Sequence, residues 1–380
     1  SEISNFLEST YSQLDNVVYG QDKTKEHIIQ ILAKMITNPS GIGNVFSIYG
    51  PMGTGKTTII KEGMSKALGI PFVFISLGGN SDSSFLDGHS YTYEGSVPGR
   101  IVEALKTCGC MNPIFYFDEL DKVSETNKGQ EIINLLIHLT DPIQNTNFMD
   151  KYYAGIPFDL SKSLFVFSFN DINRVNPILR DRMNLISVEG FEKPDKLEIC
   201  RNFVLPELSQ EYKVSYQYLE EEICKDNKKN NKDNKDNKDD KDNKDNKDDK
   251  DNKISDQLDF IITDKLINYI IENHTYDEAG VRNIKRKLET IISKINVIKL
   301  LLKGRGNKKS STVIKNDDEK KRKREKDDDD GPENYNIKLL NYLNLKKIQF
   351  PMRLNEKLVD LLIKDTKIKI KDTFQSHMYV

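Results

Sequence analysis

The stretch Gly50-Pro51-Met52-Gly53-Thr54-Gly55-Lys56-Thr57 constrains this chain more than any other. It fits G-x-x-x-x-G-K-[ST], the pattern of a loop that wraps around phosphate. An apolar run, Val45 to Tyr49, leads into it, and a helix-permissive stretch from Thr58 to Leu68 follows. Glycines let the backbone approach phosphate oxygens where a Cβ would block the way. Successive amide N–H groups and the positive end of the helix then face the anion. Lys56 can reach the β- and γ-phosphates of a nucleotide, and the Thr57 hydroxyl can ligate Mg²⁺. Gly50 to Thr58 are therefore the expected nucleotide contacts.

Four further apolar segments follow at αβ spacing: Phe72 to Leu77, Ile114 to Phe117, Leu164 to Phe169 and Leu185 to Val188. They read as continuously buried strands, not half-exposed alternating ones, as expected when helices cover both faces of a parallel sheet. Helical stretches lie between them, including Val97 to Thr107 and Gln130 to Leu139. The pattern predicts an α/β, doubly wound parallel sheet. Ahead of it come a polar helical lead-in over residues 1–16 and an amphipathic helix, Asp22 to Ile36, with Ile28, Ile31, Leu32 and Met35 on one face.

After Gly190 the character changes. Lys193 to Leu208, Thr263 to Asn273 and Val281 to Leu302 read as helices of a second, smaller domain. The expected layout is a large domain over 17–192, a small helical domain over 193–303, a charged linker over 304–334 and a tail over 335–380. The small domain is split by an Asn/Asp/Lys tract, Lys225 to Lys253, which has almost nothing apolar to offset its ordering entropy and is expected to be disordered. The second tract, Lys308 to Asp330, carries Lys320-Lys-Arg-Lys-Arg324. That cluster reads either as a nuclear address or polyanion contact, or as a solvated linker balanced by Asp327 to Asp330. The tail's leucine- and isoleucine-rich pieces suggest one or two helices of unassigned position.

The net charge of −2 over 380 residues gives no global basic field for nucleic acid or an anionic membrane. Of the four cysteines, Cys108, Cys110, Cys200 and Cys224, only the first two are close, and no CxxC pairing suggests zinc or a disulfide framework. With no long apolar span and no secretory signal pattern, a reduced, intracellular chain is expected.

A phosphate loop alone binds; hydrolysis needs more. Pro113-Ile-Phe-Tyr-Phe-Asp118-Glu119 is an apolar strand ending in two carboxylates, expected on the strand adjoining the loop. Asp118 would hold Mg²⁺, a hard cation that prefers oxygen, and Glu119 would polarise an attacking water as general base. Asn170 ends the next buried strand. Its amide would either orient the water or γ-phosphate, or simply close a turn.

Together Gly50 to Thr57, Asp118-Glu119 and Asn170 resemble the AAA+ ATPases, and the intervening sequence resembles the ATPase module of Lon proteases. The matching stretches are Leu77-Gly-Gly, Gly88-His-Ser-Tyr-Thr-Tyr-Glu-Gly-Ser-Val-Pro-Gly99, Asp141-Pro-Ile-Gln-Asn-Thr-Asn-Phe148, Pro177-Ile-Leu-Arg-Asp-Arg-Met183 and Glu278-Ala-Gly-Val-Arg-Asn-Ile284. The resemblance implies that Asn170 is sensor 1, that Arg182 is an arginine finger for a neighbouring subunit, and that Arg282 is sensor 2. It also implies Tyr19 near the adenine and Tyr93 at the pore-loop aromatic that grips a polypeptide. A site completed in trans implies a homo-oligomer, a hexameric ring in this family, hydrolysing Mg-ATP to unfold or remodel protein.

Two departures stand out. Glu94 follows Tyr93 where the family has an aliphatic residue, which weakens an apolar grip. No serine–lysine peptidase pattern follows the lid; the nearest serine context, Asn38-Pro-Ser-Gly41, precedes the phosphate loop. The expectation is either an ATPase fragment of a longer protease or a stand-alone relative without proteolysis. Two other readings remain at this point: a slowly hydrolysing, nucleotide-gated scaffold, and a nucleic-acid remodeller, which the near-zero charge disfavours.

Overall fold

The computed structural model describes residues 2–38, 41, 45–79, 82–92, 94–220, 258–275, 278–303 and 350–363. The Asn/Asp/Lys tract, the second charged tract, Tyr93 and most of the tail lie outside the described residues. Two compact units emerge: Ser1–Asp195 together with Ala279–Arg282, and the described residues from Lys196 to Glu278 and after Asn283.

The first unit is built on five parallel strands: β1 (Val45–Tyr49), β2 (Phe72–Ser76), β3 (Ile114–Asp118), β6 (Leu164–Phe169) and β7 (Asn184–Ser187). A short antiparallel hairpin, β4 (Phe148–Met149) with β5 (Pro157–Phe158), stands apart from them. The order across the sheet is β2-β3-β6-β1-β7, with registers such as Val45↔Phe165 and Ile114↔Leu164. The central strands are apolar on both faces because both faces are covered. Val45, Phe115, Phe117, Phe165 and Phe167 pack with the helices Arg100–Cys108 and Asn127–Thr140. Successive side chains alternate, so Phe46, Ile48, Tyr116 and Val166 pack on the opposite side with Leu14, Ile28, Leu32 and Ile60.

Phe117 and Phe167 anchor the first face, with ring centroids 5.1 Å apart and both side chains fully buried. Phe167→Ala is expected to cost about 3–5 kcal/mol, read from the denaturant midpoint. No loss of stability would mean the ring is not part of a packed core.

The second unit contains helices, as expected, but is organised around a small parallel sheet that periodicity does not reveal. Its strands, β8 (Tyr216–Leu219), β9 (Phe260–Thr263) and β10 (Met352–Arg353), lie in the order β10-β9-β8. They are short, and two are separated by residues of very different composition. Thr263 caps the helix Asp264–His274, accepting from Leu266 N–H, while Asp264 pairs with Arg201 at 3.0 Å. The tail therefore contributes a strand and the helix Glu356–Ile363, whose Val359, Leu362 and Ile363 are buried. Asp360 on that helix accepts from the Tyr269 hydroxyl at 3.0 Å and lies 2.9 Å from His274 Nε2.

Candidate active site

The carboxyl ends of β1, β6 and β3 form one edge, and the candidate residues follow each of them. β3 does not adjoin β1, as the sequence reading had it: β6 stands between them, because order along the chain does not determine order across a sheet. Asn170 thus emerges between the phosphate loop and the carboxylates. Gly50 N–H donates to Phe169 O at 3.2 Å, and Tyr49 stacks on Phe169 with centroids 5.5 Å apart, which ties the ends of β1 and β6 together.

The loop needs its glycines. Gly50, Gly53 and Gly55 have φ of +145°, +76° and +88°, and a Cβ on Gly50 would stand 2.2 Å from Val188 O. Lys56 follows, opening a helix that runs to Leu68 with a π-helical stretch over Ile59–Ser65. Lys56 Nζ donates to Gly50 O at 2.7 Å, Pro51 O at 2.8 Å and Asn170 Oδ1 at 2.9 Å. Burial pushes its pKa down to about 8, against the pull of Asp118 and Asp121. This largely desolvated ammonium is suited to an anionic ligand. The Thr57 hydroxyl lies 3.2 Å from the hydroxyl of Tyr116, whose burial raises its pKa to about 12 and keeps it protonated.

Asp118 Oδ1 accepts from Glu119 N–H at 3.0 Å. Glu119 adopts φ 60°, ψ 40°, a left-handed conformation uncommon for glutamate, and its Oε2 accepts from the Ser76 hydroxyl at 3.5 Å. Such conformations persist only where the surrounding structure over-determines them, and they cluster at functional sites.

Arg182 follows the short helix Pro177–Asp181, which Asn176 caps. Its Nη1 donates to Asp141 Oδ2 at 2.9 Å and Ile137 O at 3.3 Å, so within one copy it is held by the end of the helix Asn127–Thr140. The Asp141 carboxyl sits below its ordinary range, first through the Ile143 N–H and then through Arg182. Arg282 is exposed and opens the helix Arg282–Lys303. The residues before it lie on the phosphate loop: Val281 N–H donates to Gly53 O at 3.1 Å. Tyr19 lines a cavity of about 320 Å³ with Gly20, Ser187, Glu189, Gly190 and Phe191. The neighbouring Val18 abuts Gly55, 3.3 Å from where a Cβ would stand.

A Cβ on Gly280 would sit 2.2 Å from Met52 O and 2.7 Å from the Gly53 carbonyl carbon, and both are backbone atoms that cannot swing aside. Gly280→Ala should therefore displace the loop and destabilise the first unit by about 1–3 kcal/mol, measured by chemical denaturation. An unchanged midpoint would show that the segment does not sit there.

Comparison with known proteins supplies the family. Residues 46–189 match the model of the ATPase family associated with various cellular activities, AAA, and residues 250–310 match the Lon protease AAA+ ATPase lid domain. The Lon protease homolog of Acanthamoeba polyphaga mimivirus is 38% identical over 301 residues, covering 79% of this chain and 25% of that protein. The Lon protease of Clostridioides difficile is 34% identical over 282 residues, 74% of this chain and 30% of its own length. The peroxisomal Lon protease homolog 2 of Caenorhabditis elegans is 41% identical over 201 residues, 53% of this chain and 26% of its own. The chain carries an AAA+ ATPase module of the Lon family.

This chain spans between 25% and 30% of the length of those three relatives. The AAA+ family it belongs to is one of nucleotide-binding ATPases. Among the described residues of the Lon-family module, no helix is long and apolar enough to cross a membrane.

Two residues at the site escape sequence reading. Asp121, only 2% exposed, uses Oδ2 to accept from both Asn170 N–H and Asp171 N–H at 3.3 Å, clamping the turn after β3 to the end of β6. Its spacing in Asp118-Glu-Leu-Asp121, one helical turn past the strand, is the one signal that was available. The other is Tyr116, which reads simply as one more apolar strand residue.

Proposed function

We propose that this chain binds Mg-ATP along the edge formed by β1, β6 and β3, hydrolyses it, and works as a ring of copies that remodels polypeptide. The observation that carries the reading is the 2.9 Å bond between Lys56 Nζ and Asn170 Oδ1, which joins the phosphate loop to the strand beside the carboxylates. The donor set fits the metal: the Thr57 hydroxyl and Asp118 carboxylate are hard oxygen ligands suited to Mg²⁺. Held by Thr57 and Asp118, Mg²⁺ would supply positive charge to offset the negative charge of the phosphates.

The chain's own residues do the rest. Backbone amides of Gly50 to Thr58 cradle the phosphates, and Lys56 exchanges its carbonyl partners for β- and γ-oxygens. Asn170 orients the attacking water, and Glu119 accepts its proton. The cavity beside Tyr19 receives the base. Arg282 reads the nucleotide from the segment lying on the loop, and Arg182 serves the site of a neighbouring copy. Tyr93 is the expected polypeptide contact. The whole-length relatives are named as proteases, which supports a polypeptide substrate, whether or not a peptidase belongs to the same chain.

Steady-state phosphate release with and without Mg²⁺ tests the reading. Mg²⁺-dependent turnover is expected, whereas tight nucleotide binding without turnover would favour a scaffold. DNA binding that weakens steeply with salt would favour nucleic-acid remodelling.

A further inference from the structure

We propose that Tyr116 is a positioning residue: its hydroxyl accepts the hydrogen bond of the Thr57 hydroxyl, leaving the Thr57 lone pair aimed at Mg²⁺. The inference rests on the Mg-ATP reading given above. Tyr116 lies on β3 two residues before Asp118, so the two side chains share a face of the strand. Its side chain is fully buried, and its ring is wedged by Phe72 at 5.5 Å and Phe74 at 6.0 Å. The hydroxyl therefore has little freedom, and it stands 3.2 Å from Thr57 Oγ1.

A purely structural role does not need that oxygen. Phenylalanine would fill the same space, and burying a hydroxyl is unfavourable unless it is bonded. Thr57, in contrast, gains something specific. A hydroxyl that ligates a cation gives it a lone pair and must send its own proton elsewhere. Beside anionic phosphates and the Asp118 carboxylate, that proton would otherwise find competing acceptors, and the lone pair would turn away from the metal. An acceptor fixed within the sheet removes this freedom. Tyr116 in turn needs an acceptor for its own proton. The Ser168 hydroxyl, buried on the neighbouring β6 and with no other partner among the described residues, is close enough to interact with it and to serve. The ordered chain is thus Thr57 donating to Tyr116, and Tyr116 to Ser168.

The test uses Tyr116→Phe in the full chain, with three readouts: melting temperature, affinity for fluorescent ADP in EDTA, and a Mg²⁺ titration at saturating nucleotide. Partners behind a metal ligand typically change metal affinity by about 10–100-fold. The expected result is an unchanged affinity in EDTA and a half-saturating Mg²⁺ concentration raised about tenfold, at the lower end of that range. Ser168→Ala, which removes only the terminal acceptor, should give a smaller rise in the same direction. An unmoved Mg²⁺ midpoint in a folded Tyr116→Phe would overturn the proposal, as would equal losses with and without metal. If the unmutated chain bound no nucleotide at all, the Mg-ATP reading itself would fall, an outcome distinct from either.

Discussion

Glu119→Gln should retain nucleotide affinity within about threefold while phosphate release falls by roughly 10²–10⁴, the usual contribution of a positioned general base. The amide occupies the same volume and can still accept from the Ser76 hydroxyl through its oxygen, so the turn after β3 has no reason to rearrange. Only the capacity to accept a proton is lost. The measurement pairs equilibrium binding of a fluorescent nucleotide with steady-state phosphate release. Equal turnover in mutant and parent would remove Glu119 from the role of base. A parallel loss of binding would point instead to damage at the left-handed backbone of Glu119.

Arg182→Ala should lower turnover by about 10³–10⁵, the range associated with an arginine supplied to phosphoryl transfer. Within its own copy the guanidinium is held by Asp141 and Ile137, and a part-exposed pair of this kind contributes little to folding. The melting temperature should therefore stay close to the parent's while activity collapses. Mixing provides the sharper criterion. If the arginine acts on a neighbouring copy, adding inactive Arg182→Ala protein to active protein lowers activity more than in proportion to its fraction. A strictly proportional decline would mean that it acts within its own chain. Arg182→Lys should not rescue, because an ammonium lacks the planar fork of donors.

Much of this architecture was legible in the residues. The strands are predominantly apolar, and the central three are buried on both faces, because helices cover both sides of the sheet there. The phosphate loop has few alternative uses for its glycines and lysine. What remained hidden was relational. Sequence order does not say that β6 separates β1 from β3, so Asn170 could not be seen to join the two halves of the site. Asp121 and Tyr116 act through atoms that meet only after folding, one as a buried clamp and the other as a hydroxyl beside Thr57. The strands of the second unit were missed for a different reason. They are too short to show periodicity, and their neighbours in space come from distant stretches of chain.

That last arrangement governs how the protein can be shortened. β9 is flanked by β8 on one side and β10 on the other, and Asp360 satisfies two side chains of the helix that follows β9. Stopping translation ahead of Phe350 would strip β9 of a backbone partner and bare the apolar face that Val359 and Leu362 cover. Trimming the interior charged tracts should be far gentler, since the entropy of closing a loop changes only logarithmically with its length. A minimal version of this molecule is better made by excision from the middle than by cutting from the end.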